Sequence, residues 1–485
     1  MRRLFLHGIF ASGLIACSQP PPAPDAAQDA AQDASVDRTI ATMDADSTID
    51  ASDGDAFDAA FADAPREIAY IDAPVRDRAA IDAGPRCYGI TGSTGLLSHV
   101  AHIPRESGGS ANGASVCVGD VDNDGVKELI VPRFNEPSEI IGPDFCSRGR
   151  VLLPNYTRGC TIADLDGDGR NELVAYGNDG WDGRGTLHAG RVERATASDF
   201  TVETHVFRDL WPFDERRPIA TFAAPHANVI DLDRDGRVEL FVAGNFRSPF
   251  LRVWEMGAPG PAPSWTDVLN VSLTGALNDT AGALAEDIDG DGQREAIVAG
   301  SCSTGQHAHR VYRAWDQPAI VLNQPNPSHV AVGELDGVAP PEIILAHRAN
   351  CYDGATQPWP LEVQRFNSAT NTLSLVARVT TGVQQRESNY AAAVDVTGSP
   401  AHEILYCSVA GGIASAPRVC LLYALTAGAL VRVVDPATTM NFRWESPPRL
   451  AGFDGIVVAD LDEDNARELI LFGQEHIDVL RGPRR

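Results

Sequence analysis

Long apolar runs are missing from this 485-residue chain except at its very start. Past residue 17 no segment is long and apolar enough to cross a bilayer, which takes about 20 such residues in a helix. Positive charge is scarce too. Lys and Arg number 39 against 66 Asp and Glu, a formal net charge of −27. Nucleic-acid binders carry basic patches, so no nucleic-acid partner is expected. The nucleophile elbow G-x-S-x-G, the zinc motif H-E-x-x-H and a phosphate-cradling Gly loop are all absent. No separate catalytic domain announces itself.

What is present is a repeat. Asp120-Val-Asp-Asn-Asp-Gly-Val-Lys-Glu128 sets carboxylates at alternate positions, then Gly, then Glu. The pattern returns at Asp164–Glu172, Asp231–Glu239, Asp287–Glu295 and Asp460–Glu468. Two partial copies, Glu334–Glu342 and Asp395–Glu403, bring the total to seven. A motif repeated every roughly 40–70 residues is the mark of a repeat architecture.

Calcium takes six to eight oxygens at about 2.3–2.6 Å and tolerates irregular geometry. In the first copy, Asp120, Asp122, Asp124 and Glu128 would supply carboxylates, and Val126 a backbone carbonyl. Gly125 permits the positive φ that so tight a turn needs. An EF-hand would place a Glu at loop position twelve between helices. That position holds Val131, Ala175, Val242, Val298 and Leu471 in the five intact copies. The flanks, such as Ser115-Val-Cys-Val118 and Glu128-Leu-Ile-Val131, are short apolar runs that read as strands. Each loop is therefore expected to be the turn of a β-hairpin. Asp, Asn and Gly also favour turns without metal. Three carboxylates in one turn repel, however, and five copies in register favour a bound cation.

The loops and their strands resemble the FG-GAP/VCBS repeat family, whose best-known members are the β-propellers of integrin α subunits. The resemblance covers residues from about 89 to 485. It implies an all-β, seven-bladed β-propeller with calcium-binding hairpin loops. The Phe-Gly and Gly-Ala-Pro signatures that name the family are not part of the match. By resemblance the ligand sets carry over to the other copies. They are Asp164, Asp166, Asp168, Arg170 and Glu172, and Asp231, Asp233, Asp235, Arg237 and Glu239. Two more are Asp287, Asp289, Asp291, Gln293 and Glu295, and Asp460, Asp462, Asp464, Ala466 and Glu468. In each set the residue before last contributes its carbonyl, and Asn465 replaces the usual Gly. About five Ca2+ sites are implied. The loops at 334–342 and 395–403 depart from the pattern at Val338, Thr397 and Ser399, and are expected to bind metal poorly or not at all.

Each unit should hold four strands, as blade three shows at Asn228–Ile230, Glu239–Ala243, Phe250–Trp254 and Asp267–Leu273. The chain stops before blade seven gains a fourth strand. A spare apolar stretch, Gly95-Leu-Leu-Ser-His-Val-Ala-His-Ile103, lies upstream of the first loop. It is expected to pair with the C-terminal strand and close the ring, removing exposed edges.

Residues 1–17 read as a signal peptide, with Arg2 and Arg3 ahead of a short apolar run. Leu14-Ile-Ala-Cys17 resembles a bacterial lipobox, which implies lipidation of Cys17 and an envelope location, at the outer membrane or cell surface. A plain secretory signal, giving a secreted or periplasmic protein, is the alternative. Residues 18–85 form an Asp/Ala-rich stretch too poor in large apolar residues to fold. Between residues 25 and 83, fourteen Asp and one Glu face four Arg, a net charge of −11. It is expected to act as a disordered linker, with the propeller occupying 86–485. Beyond Cys17 there are eight cysteines. Cys407 with Cys420, Cys302 with Cys351, and Cys117 with Cys160 are candidate pairs, with buried thiols the alternative.

No catalytic residue is assigned. His307 and His309 either share one face of a strand or decorate a loop. Trp181, Trp211 and Trp359 sit in inter-strand segments, where aromatics anchor ligands or fill gaps between blades. Two functions remain open. One is a calcium-stabilised cell-surface binding or adhesion scaffold for an unknown protein or polysaccharide, monomeric and joined to a membrane only by its lipid. The other is a polysaccharide lyase or hydrolase, because propellers of this resemblance also occur in such enzymes.

Overall fold

Glu239–Gly244 follows the third acidic turn and is buried at every position. Its side chains alternate between two faces, as strand geometry requires. Leu240 and Val242 join a cluster with Leu165 and Val174 of the preceding repeat. Phe241 and Ala243 join one with Ala296 and Val298 of the next. A strand that packs on both faces needs an unbroken apolar run, which is why these stretches do not alternate in the sequence.

The chain is seen in a computed structural model. It describes residues 86–90, 96–105, 115–133, 137–153, 157–179, 184–194, 199–207, 226–244, 250–257, 265–273, 280–300, 308–323, 327–347, 360–381, 389–409, 418–445, 455–464, 467–473 and 476–482. The chain divides into two units, Met1–Ala79 and Ala80–Arg485, and every described residue belongs to the second. Cys17, Trp181, Trp211, Trp359, His307, Cys302, Cys351, Asn465 and Ala466 lie outside the described residues.

The described part is a seven-bladed β-propeller without helices. In blade three His226–Ile230, Glu239–Gly244, Phe250–Met256 and Trp265–Ser272 pair in that order, all antiparallel. Blade five repeats the plan, its last two strands at Pro360–Asn367 and Thr372–Thr380. Blade seven takes three strands from the end of the chain, Gly455–Ala459, Glu468–Phe472 and His476–Arg481. Its fourth is Ser98–Pro104, antiparallel to His476–Arg481. The ring closes with the strand the sequence left over.

Seven apolar clusters fill the seven spaces between neighbouring blades. The last sets Ile103, Ile470 and Val479 of blade seven against Leu129 and Val131 of blade one. The closing strand is fastened further. Residues 86–90 bridge Ala101 and the turn at Cys146, and Cys87 is disulfide-bonded to Cys146. Cys117–Cys160 joins the first strands of blades one and two, and Cys407–Cys420 crosses two strands of blade six. The latter two were candidate pairs in the sequence, whereas Cys87–Cys146 was not.

Two departures from four strands per blade appear. In blade six Arg443–Glu445 adds a fifth strand beside Arg418–Thr426, and Val434–Asp435 pairs with Met440–Asn441 as a separate ribbon. Blades one and two are also joined at their outer edges, where Arg150 and Val151 pair in parallel with Asp199 and Phe200. His309 corrects the loop alternative: it is 3% exposed and lies on the strand Ala308–Tyr312.

Candidate metal centre

Every acidic turn connects the first and second strands of its blade, so the seven turns gather at one end of the ring. Within a turn the nine residues wrap around the first acid. Asp120 Oδ1 accepts from the Asp124 N–H at 3.0 Å, and Oδ2 from the Gly125 N–H at 3.0 Å. Gly125 has φ +88°, the left-handed value the turn demands. The last Glu has a constant task. Its Oε2 accepts the backbone N–H of the turn's second residue in all seven copies. The distance is 3.1 Å from Val121 to Glu128, 2.9 Å from Leu165 to Glu172 and 2.9 Å from Leu232 to Glu239. It is 2.9 Å from Ile288 to Glu295, 2.8 Å from Leu335 to Glu342, 3.0 Å from Val396 to Glu403 and 2.7 Å from Leu461 to Glu468.

In each of the first four loops, three of the four predicted carboxylates converge. Oxygens of Asp120, Asp122 and Glu128 lie within 4.8 Å of one another. The same holds for Asp164, Asp166 and Glu172, for Asp231, Asp233 and Glu239, and for Asp287, Asp289 and Asp291. Packing buried carboxylates together disfavours their charge. Burial foremost, with neighbouring acids adding to it, pushes Glu128 up to about 8 and Glu239 and Glu295 to about 7.

The copies differ in what stands across the strand from the last Glu. Arg191, Arg313, Arg365 and Arg481 hold that place in blades two, four, five and seven. Arg191 donates from Nε to Glu172 at 2.9 Å, and from Nη2 to Asp166 at 2.9 Å and Asp168 at 2.6 Å. Arg481 donates to Glu468 and lies 2.9 Å from Asp462 Oδ2. Arg313 donates to Asp289. In blade five Arg365 holds Glu342 and Asp336, the latter at 2.7 Å. In blades one, three and six the same register position is Gly142, Glu255 and Ala424. Glu255 is itself taken by Arg237, whose Nη1 donates at 2.6 Å. In blade six Thr397 donates to Glu403 instead. Sequence reasoning missed this division. Its signal, an Arg 13 to 23 residues after the loop Glu, has no fixed spacing because the hairpins differ in length.

These residues fit calcium unequally. Loops one and three offer uncompensated oxygens, and Asp231 Oδ1 is buried without a hydrogen-bond partner. Loops two, four and seven already hold a guanidinium against the same acids, which a cation would have to displace. Asp460, Asp462, Asp464 and Glu468 keep their places in the last turn, while the carbonyl of Ala466 falls outside the described residues. Chemically, a bound calcium ion would cross-link each turn to the start of the second strand.

Neighbouring turns are stitched together. At three junctions the residue before the loop Glu reaches the carbonyl of the first residue in the preceding turn. Asn171 Nδ2 donates to the Asp120 carbonyl at 2.9 Å, and Lys127 Nζ to the Asp460 carbonyl at 3.2 Å. The His402 N–H does so to the Glu334 carbonyl at 2.7 Å. Lys127 is the sole lysine of the chain. A cavity of about 390 Å3 separates turns three and four, lined by Asp231, Arg234, Gln293 and Arg294 among others.

No protein-family model matches the chain. The KICSTOR complex protein ITFG2 of Mus musculus is 27% identical over 171 residues, 34% of this chain and 36% of that protein. The match thus spans little more than a third of that relative. Two crystal structures of BBS1N in complex with ARL6DN are similar in shape. The one soaked with mercury has a TM-score of 0.48 at 13% identity, and the one soaked with lead 0.47 at 11%. Each covers 81% of this chain and 98% of the matched chain.

Proposed function

We propose that the chain is a docking scaffold whose propeller displays a calcium-stiffened rim to a protein or polysaccharide partner. The observation that carries this reading is the gathering of seven acidic turns, three neighbouring pairs of them hydrogen-bonded, at one end of a closed ring. Calcium held by loops one and three fixes turns that otherwise concentrate like charge. The similarity to ITFG2, a protein named as part of a complex, supports a role in association. The sequence of residues 1–17 supports export and lipidation at Cys17, and the acidic stretch after it supports a spacer between envelope and propeller.

The purified protein, with and without calcium, is screened against arrays of polysaccharides and envelope proteins while released reducing ends are assayed. The scaffold reading expects calcium-dependent retention of an unaltered ligand. Release of reducing ends from any polymer would replace it with the polysaccharide-active enzyme.

A further inference from the structure

Away from the acidic rim, the outer edge of blade seven gathers three imidazoles around one carboxylate. Asp478 lies on His476–Arg481, and its side chain is 0% exposed. The closing strand runs alongside, with His102 directly opposite Asp478. In a regular strand His99 and His102, three residues apart, would point to opposite faces. The register slips by one residue between His99 and Ala101. This bulge swings His99 onto the face of His102. His99 Nε2 and His102 Nδ1 then stand 3.0 and 2.8 Å from the same oxygen, Asp478 Oδ1. The other oxygen, Oδ2, is buried without a hydrogen-bond partner, as is Nε2 of His476, 3.7 Å away.

We infer that His99, His102 and Asp478 form a binding site for a zinc-type divalent ion that clips the closing strand to the last blade. Their three ligand atoms lie within 4.8 Å of one another. In a tetrahedral site with bonds near 2.0–2.1 Å, ligand atoms sit about 3.3 Å apart. The two contacts to Oδ1 therefore need to widen by roughly 0.4 Å. Two imidazole nitrogens and one carboxylate select zinc-like ions, whereas the all-oxygen turns suit calcium. Three protein ligands leave a position for water, and the 20% and 40% exposure of the two histidine side chains gives a way in. Arg418 opposes a cation by its charge. It stands on the far side of the carboxylate, 3.8 Å from Oδ2, and donates to the Leu471 carbonyl at 3.4 Å. From there it acts on the carboxylate through its charge, without a hydrogen bond to Oδ2. The site joins positions 376 to 379 residues apart, so its ion binds only the closed ring.

Cobalt(II) titration of the full chain, with calcium kept saturating, tests this. One equivalent should produce the intense visible absorption of a four-coordinate site, bleached by zinc. Oxygen-only sites in the turns absorb far more weakly. Zinc at a hundredfold excess over its Kd should raise Tm by about 3 °C. Both effects should vanish in His99→Ala and His102→Ala and persist in Asp166→Ala. In the unaltered chain, zinc should also shield His99 and His102 from acylation by diethyl pyrocarbonate, read by peptide mass. Absence of the band and of that protection overturns the site. So does a band that survives His102→Ala. In saturating calcium, a Tm that rises on acidification in the unaltered chain but not in His102→Ala, with no cobalt band, would make the cluster a proton-held ion pair instead and equally overturn it.

Discussion

A single guanidinium decides whether an acidic turn is self-contained. Arg191 pairs with Asp166, Asp168 and Glu172 at once, whereas the corresponding place in blade one is Gly142. Replacing Arg191 by Ala should cost the calcium-free protein about 1–3 kcal/mol, because it strands a buried carboxylate. It should also add one tight calcium site in a calorimetric titration. An unchanged stoichiometry would show that the arginine does not compete with the ion. The Glu residues give a second test. Glu128 is pushed up to about 8 and Glu239 and Glu295 to about 7, while an unfolded Glu titrates near about 4.3. A folded pKa above the unfolded one means the native state holds the proton more tightly. The stability these groups lend is complete below about 4.3 and is lost as pH rises through about 8. In chelator, Tm should fall between about pH 5 and 8. With saturating calcium, which takes the proton's place, the profile should flatten. A profile that rises in chelator sinks the assignment.

Strands carry the next lesson, and the closing strand is the most exposed to test. Ser98–Pro104 supplies the missing edge of blade seven and fills the space towards blade one through Ala101 and Ile103. Deleting residues 90–104 should leave His476–Arg481 as an open edge and uncover the cluster around Ile470 and Val479. The truncated chain should unfold without cooperativity and scatter light on mild heating. If it melted like the full chain, ring closure would contribute nothing to stability. This pairing was legible in the sequence because an unpaired apolar stretch at one end met a three-stranded blade at the other. The hairpins were legible because nine-residue turns sit between apolar runs. The fifth strand at Arg443–Glu445 was not, since three residues carry no periodicity. Nor was the parallel bridge of Arg150 and Val151 to Asp199 and Phe200, which depends on how two blades meet. The carboxylate positions of the turns were readable one by one. Their arginine partners were not, because a cross-strand neighbour depends on hairpin length rather than on spacing.

For the molecule as a whole the question is where its charge sits. Of the formal −27, residues 25–83 carry −11, which leaves −16 for the remainder. The ring places acid-rich turns side by side at one end, and links such as Asn171 to Asp120 keep them close. Without calcium, that rim pushes its own turns apart wherever no guanidinium intervenes. Screening acts over about 10 Å at 0.1 M salt, comparable with the separation of charges within and between turns. In chelator, adding sodium chloride from low ionic strength should therefore raise Tm. In saturating calcium the same addition should change it little, because ions already offset roughly two charges per filled loop. The contrast should shrink when Asp120 and Asp231 are both replaced by Asn, since loops one and three lack the cross-strand arginine. If salt leaves Tm unchanged in chelator, the four arginines already balance the rim. Calcium would then have no electrostatic strain to relieve there.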